Sequence, residues 1–135
     1  MRAINSVAGA AFALSLLTSF AVAQDAPPKD NVGVTPELLG EVTLADEFND
    51  VGTRKLRMRV ITVAPEGIIG LHSHANRPSV EYVLSGTAVE VRGDKSVDMK
   101  SGSQMIADHT VEHYWRNTGA EPLVILAVDI YQPAP

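Results

Sequence analysis

The chain has 135 residues, four histidines, no cysteine and a formal net charge of −5. A chain of this length fits one domain with a modest core, and the lack of cysteine excludes disulfides and thiolate metal ligands. Its acidic charge, without a basic cluster, argues against nucleic acid and anionic membrane surfaces as partners.

The N-terminus, Met1 to Ala23, has the pattern of a secretory signal. Arg2 gives a positive start, an apolar stretch follows, and Ala21-Val22-Ala23 is a small-x-small cleavage site. An uncleaved anchor is the alternative, but serine and threonine dilute the apolar stretch, which is short for a span of about 20 apolar residues. We therefore expect cleavage, a periplasmic or secreted mature protein, and no stable membrane association afterwards.

Residues 24–36 are rich in proline and small polar residues, which predicts a flexible lead-in that acts as a spacer. One domain is expected over residues 37–135. It could begin with a helical turn at residues 36–40, followed by a short strand near Val42.

The stretch Leu56–Pro65 alternates apolar and basic residues at its start. This period of two indicates a half-exposed strand. We interpret Arg57 and Arg59 as its solvent-facing side rather than as a ligand clamp, with Leu56 and Met58 on the other side.

Short strand patterns continue to the end of the chain, separated by turn signals such as Gly86, Gly93-Asp94 and Ser101-Gly102. The last one, LVILAVDIY, is the most apolar. Many short strands and almost no helical periodicity predict an all-β sandwich or barrel, whose strand order the pattern alone does not fix.

Two histidines, His72 and His74, stand one residue apart at the end of a strand-like run. Side chains in a strand alternate between faces, so these two point the same way, about 6–7 Å apart. The pair alone is a weak metal signal, because neighbouring histidines on a surface strand are often simply solvated.

A second stretch, GSQMIADHTVEHYWRN, strengthens the signal. Together the two stretches resemble the paired motifs of the cupin superfamily: His72, His74 and Gly86 match the first motif, and Gly102, His113 and Asn117 match the second. Three departures stand out. Gly67 lies one residue too close to the histidines, Asp108 and Thr110 replace a proline and a glycine, and Ser79 occupies the place of the motif's glutamate.

The cupin resemblance implies a single small antiparallel jelly-roll β-barrel whose interior holds one divalent metal ion. By the same motif matching, His72, His74 and His113 are its predicted ligands. Fe, Mn, Ni and Zn are not distinguishable, because imidazole suits several of these ions.

The acid nearest to the motif position is Glu81, two residues after Ser79 and on the same side of the strand. A bulge or looser loop could bring Glu81 to the ion as a fourth ligand. Otherwise it would act from outside the ligand set as a catalytic acid or base. Both roles remain open at this point.

Three further residues are candidates for contact with a substrate. Arg77 follows the histidine pair and is either an exposed loop arginine or a carboxylate-binding guanidinium. Trp115 shares the parity of His113 and should face inward, as a pocket wall or as core. Gln104 is expected to line the barrel as a hydrogen-bond donor.

Two functional hypotheses follow from the resemblance. The first is a metal-dependent enzyme acting on a small oxygen-rich molecule, of the dioxygenase type or a lyase or decarboxylase. The second is a module that binds a metal or small ligand without turnover, because a fold does not fix a function. The resemblance also implies a homodimer.

Overall fold

The computed structural model describes residues 26–134, so the predicted leader, Met1–Ala23, lies outside the described residues. In this range the chain forms eight strands and one short 3-10 helix, Leu44–Asp46. The strands are β1 (Val32–Thr43), β2 (Lys55–Ser73), β3 (Ser79–Ser85), β4 (Thr87–Arg92), β5 (Lys95–Lys100), β6 (Gln104–Ala107), β7 (Glu112–Asn117) and β8 (Leu123–Tyr131). Within residues 26–134, no helix is long and apolar enough to span a bilayer.

All strand pairs are antiparallel, and the sheet order is β5-β4-β7-β2-β8-β3-β6, with β1 on β2. Strand β2 is shared: its first half pairs with β8 and its last residues pair with β7. One long strand with two successive partners curls the sheet into a half-barrel, which confirms the predicted all-β class and cupin-like architecture.

The side chain of Asn117 holds β2 where its pairing changes from β8 to β7. Its amide nitrogen donates to the carbonyls of Val63 and Ala64, both at 3.0 Å, and to that of Glu121 at 2.9 Å. Its amide oxygen accepts from the backbone N–H of Gly119. Asn117 is buried, so these bonds satisfy polar groups that would otherwise be costly to bury.

A β-bulge in β2 decides which side chains face the interior. Ile69 pairs with Trp115 and His72 pairs with His113, so β2 uses one more residue than β7 over the same distance. Because one extra residue switches the face of a strand, the bulge turns His72, rather than Leu71, to the side of His113.

The apolar core lies inside the curl of the sheet. Its buried members come from β2, β3, β4, β5, β6, β7 and β8 and are Val63, Val83, Ala88, Met99, Met105, Ala107, Trp115, Leu123 and Ile125. Trp115 belongs to this core and also lies beside His113, so the core borders the polar side chains described below.

The N-terminal prediction needs correction for the described residues. Strand β1 runs from Val32 to Thr43 on β2, so residues 36–40 form strand rather than a helical turn. Before it, the carbonyl of Pro28 accepts from the N–H of Leu71, and Asn31 accepts from the N–H of Gly70. The chain is therefore hydrogen-bonded to β2 from Pro28 onward and is not a free spacer there.

The side chains of β2 alternate with the predicted period of two, but the face predicted to be exposed is the one that points inward. Leu56 and Met58 are 37% and 41% exposed, whereas the side chains of Arg57 and Arg59 are 20% and 17% exposed. The arginines face inward because a buried carboxylate, Asp129, lies beside them. A period of two identifies two faces but does not say which one is inside.

Candidate metal centre

Three imidazoles from two separate strands meet at one point. The Nε2 atoms of His72, His74 and His113 lie 3.0–3.2 Å from one another, with His74 and His113 fully buried. His72 and His74 come from the end of β2 and the residue after it, and His113 comes from β7. The predicted convergence of these three side chains is confirmed.

Each of the three imidazoles is oriented by a bond at its other nitrogen. The Nδ1 atom of His72 lies 2.8 Å from the carbonyl of Gly70, and that of His74 lies 3.0 Å from the carbonyl of Arg77. The Nδ1 atom of His113 lies 2.6 Å from a carboxylate oxygen of Glu90. These oxygens accept hydrogen bonds, so each Nδ1 carries the proton of a neutral ring and each Nε2 presents a lone pair.

Three lone pairs facing one another repel unless a cation lies between them. Burial is the main cause that lowers the pKa of His72 and of His74 to about 4, so protons do not fill this role near neutral pH. The spacing also fits a metal: with bonds of about 2.0–2.2 Å to an ion, nitrogens this far apart subtend angles of about 90–100°, closer to one face of an octahedron than to a tetrahedron.

Glu90 completes the support of His113 and was missed in the sequence. It is buried on β4, and it also accepts a hydrogen bond of 2.6 Å from Nε of Arg92. Burial would raise the pKa of Glu90, but the hydrogen bonds from His113 and Arg92 outweigh this and hold its pKa below the usual range. A lone acid inside the short strand TAVEVR was the available signal.

Ser79 lies where the family motif places a glutamate, and it links the histidines to Glu81. Its hydroxyl lies 3.2 Å from Nδ1 of His74 and donates to Oε1 of Glu81 at 3.2 Å. Among the described residues, the side chains whose ligand atoms lie within 4.8 Å of one another are the three histidines, without Glu81. The structure therefore does not place Glu81 with the ligands, because Glu81 sits one side-chain step farther along β3.

An open cleft of about 390 Å³ lies beside the histidines. His72, Arg77, Glu81 and Trp115 line it, as do Lys29 and Asp30 from the N-terminal segment. Burial raises the pKa of Glu81 and so favours its protonated form. The indole nitrogen of Trp115 packs 3.3 Å from Nδ1 of His113, whose proton is directed at Glu90.

Gln104 is not brought to the site. It is exposed on β6, where the next residue, Met105, turns into the core. The prediction that Gln104 lines the barrel as a donor is therefore wrong, because the face of β6 that is buried carries Met105 and Ala107.

A second polar cluster lies near the cleft, and we call it the arginine cluster: Arg57, Arg59 and Arg77 around Asp129. Arg57 binds Asp129 through two hydrogen bonds, 2.7 and 2.9 Å. Arg59 and Arg77 each give one longer contact to the same carboxylate, 3.2 and 3.4 Å. Burial opposes ionisation of Asp129, but Arg57 and then Arg59 outweigh it and lower its pKa.

Comparison with known proteins shows the family. The sequence profile of the cupin domain family matches residues 59–129, which is more than half of the chain, so the chain belongs to this family. It is 29% identical over 94 residues to an oxalate decarboxylase of Bacillus subtilis, an alignment that covers 66% of this chain and 24% of that protein. The aligned part thus spans about a quarter of that relative.

Solved structures share the fold. A Klebsiella pneumoniae protein with a double-stranded β-helix domain superposes with a TM-score of 0.60 at 22% identity, covering 74% of this chain and 78% of that chain. A predicted oxalate decarboxylase of Thermotoga maritima gives 0.52 at 24% identity, with coverages of 73% and 94%. At these identities the likeness describes the architecture alone.

Proposed function

We propose that the chain binds one divalent metal ion through His72, His74 and His113 and acts on a small oxygen-rich molecule in the adjacent cleft. The observation that carries this proposal is the meeting of three imidazoles whose Nε2 atoms lie 3.0–3.2 Å from one another. An ion held there supplies Lewis acidity toward an oxygen ligand. The likeness to an oxalate decarboxylase favours a lyase or decarboxylase over a dioxygenase.

Glu81 is proposed as the proton donor or acceptor for that reaction. It lines the cleft together with His72, and burial holds its pKa above the usual range, as suits a carboxyl group that exchanges protons nearer neutral pH. Ser79 fixes one of its oxygens, so the other oxygen is the one available to a ligand. Trp115 and Arg77 shape the same cleft.

A binding module without turnover is the second candidate. It is favoured by one observation: Gln104, the polar residue expected to line the barrel as a hydrogen-bond donor, lies on the exposed face. In this alternative, the histidines hold a metal or present it to a small ligand, and Glu81 only contributes a polar group to the lining of the cleft.

Export and self-association complete the proposal. The signal-like sequence of the N-terminus supports the proposal that the mature protein is periplasmic or secreted. A homodimer is expected, and a row of cross-strand neighbours on the outer face offers apolar area for it: Met58, Val128, Val80 and Ile106. Light scattering of the purified mature chain tests the dimer.

The test of function compares the purified protein with its His113→Ala variant. Metal content is measured first, then oxygen uptake with small diketones, flavonols and thiols, and carbon dioxide release from small carboxylates. Turnover that is lost in the variant supports the enzyme. Bound metal without turnover on any of these compounds supports the binding module, and wild-type protein that takes up no metal refutes both.

A further inference from the structure

The arginine cluster carries more positive charge than its partner can neutralise. Three guanidinium groups, those of Arg57, Arg59 and Arg77, share the single carboxylate of Asp129. Arg57 takes both oxygens at short distances, so Arg59 and Arg77 must share Oδ2 with it at 3.2 and 3.4 Å. A bidentate pair is the strong arrangement for a guanidinium and a carboxylate, and Arg57 alone has it.

Arg59 is the least satisfied member of the cluster. Its Nη2 atom reaches Asp129, while its Nε atom is buried and, among the described residues, has no hydrogen-bond partner. Its side chain is only 17% exposed. A buried donor without an acceptor is destabilising, and burial lowers the pKa of Arg59, whereas the hydrogen bond to Asp129 raises that of Arg57.

Arg59 also lines the cleft beside His72, together with Arg77, whereas Arg57 does not. The other charged residues of the cleft do not cancel it. Lys29 and Asp30 carry opposite charges, and Glu81 is a single acid beside the two guanidinium groups of Arg59 and Arg77. We propose that Arg59 binds the carboxylate of a small anionic ligand in this cleft, so that the ligand class of the proposed site is a short-chain carboxylate.

This assignment rests on the proposed ligand site next to the histidines and adds a recognition residue to it. A guanidinium has five N–H donors in a planar fork, and Asp129 accepts from one nitrogen of Arg59. A carboxylate in the cleft would accept from the Nη atoms of Arg59, since Nε is buried and Asp129 bonds Nη2 alone, while Asp129 holds the guanidinium in place. Arg77, which contacts the same oxygen of Asp129 and also lines the cleft, would contribute a second guanidinium.

The first experiment uses glycolate and its uncharged analogue, glycolamide, with the mature protein in metal-free and Zn²⁺-loaded forms. Ligand-observed NMR titrations give both dissociation constants. We expect glycolate to bind about tenfold more tightly than glycolamide, the magnitude of one charge-assisted hydrogen bond, and Arg59→Gln to reduce this preference to about twofold or less.

Arg57→Gln is the matched control, because Arg57 lies two residues away on the same strand, binds the same carboxylate and does not line the cleft. It should keep the glycolate preference. Equal loss in both variants would overturn the proposal, since it would mean that both arginines merely support Asp129. Absence of any preference in the wild-type protein would overturn it as well.

A second measurement does not depend on the glutamine variant folding. The Nε–H cross-peaks of the arginines are recorded in the wild-type protein, and Arg59→Lys identifies the one from Arg59. Glycolate should shift the Arg59 peak and leave the Arg57 peak in place; a shift of Arg57 without Arg59 would refute the assignment. The zinc content of the same samples reports separately on the metal centre. If the protein binds no zinc, glycolate binding by the metal-free form still tests the role of Arg59.

Discussion

The histidine cluster (His72, His74 and His113) and the arginine cluster both draw residues from β2 and border the same cleft, and they are incomplete in opposite ways. In the histidine cluster each ring is fixed by a bond at Nδ1, and three lone pairs are left facing one another. In the arginine cluster three cations surround one anion. The first arrangement lacks positive charge and the second lacks negative charge.

The difference shows how one cleft can suit both a metal and an anion. Neutral imidazoles contribute no charge, so an ion bound to them keeps its full positive charge toward the cleft. The arginines add to that potential from the neighbouring part of β2. A ligand with negatively charged oxygens would meet attraction from both clusters, whereas a neutral apolar ligand would gain from neither.

The largest effect is expected from removal of one histidine. His113→Ala leaves two of the three nitrogen donors, and we expect metal affinity to fall by at least about 100-fold. His109→Ala is the control, because His109 is exposed in the turn before β7. Metal content after dialysis against a metal buffer measures both. Equal metal retention in the two variants would remove the histidine cluster as the binding site.

The next largest effect is expected from a change in the hydrogen-bond partner of His113 rather than in a metal-binding histidine. Glu90→Gln weakens the hydrogen bond that fixes Nδ1, and we expect metal affinity to drop about 10- to 100-fold, as for other partners of metal-bound histidines. Glu112→Gln changes an exposed acid on the neighbouring strand and should leave affinity nearly unchanged. Competition with a chromophoric chelator gives both values.

The two arginines of β2 should differ in their effect on stability. Arg57→Gln removes a bidentate pair with Asp129 and a contact with the Tyr131 ring, whose centroid lies 3.9 Å away. We expect it to lower the free energy of unfolding by about 2 kcal/mol. Arg59→Gln should cost less than about 1 kcal/mol, since it also removes a buried donor without a partner. Urea denaturation of the metal-free protein measures both losses of stability. A larger loss for Arg59→Gln than for Arg57→Gln would show that Arg59 is the structural residue.

Acid should weaken the two clusters in different pH windows. The pKa of His72 and of His74 is about 4 in the folded chain, against 6.5 for an unperturbed histidine. The unfolded chain therefore binds more protons between these values, and metal-free stability falls as pH drops from about 6.5 to about 4. The depressed pKa of Asp129 adds a further loss only below its usual value of 3.8.

Urea midpoints between pH 7 and pH 4 test the upper window. The double variant His72→Gln, His74→Gln should lose less stability than the wild-type chain over this interval, because glutamine does not titrate. An unchanged slope would show that the two rings are not held neutral by burial.

Much of the fold and part of the site follow from the sequence. Strand period and turn residues give the all-β class, and the positive φ of Gly86, 85°, shows why glycine is needed at that turn. The meeting of His72, His74 and His113 followed from motif spacing. In contrast, Glu90 and Asp129 are single acids in apolar strands, and nothing local says that each will face a cationic or imidazole partner from a distant strand.

The errors share a physical cause. Alternation along β2 assigned Arg57 and Arg59 to one face, but their inward direction depends on Asp129, which is 70 or more residues away in the chain. The inward prediction for Gln104 fails in the same way, because the choice of the buried face of β6, which carries Met105 and Ala107, depends on packing against other strands. The lead-in was read from composition, which does not register the backbone bonds that Pro28 and Asn31 make with β2.

The irregular pairing at Gly70 and Leu71 has a consequence for how this chain tolerates changes in length. Deleting one of these two residues would restore an even ladder between β2 and β7 and keep the imidazole of residue 72 opposite His113, because Ile69 and His72 would then be two residues apart, as Trp115 and His113 are. The centre thus depends on the pairing of His72 with His113 rather than on the residue count of this part of β2, and a homologue one residue shorter here could keep both the H-x-H pattern and the ion.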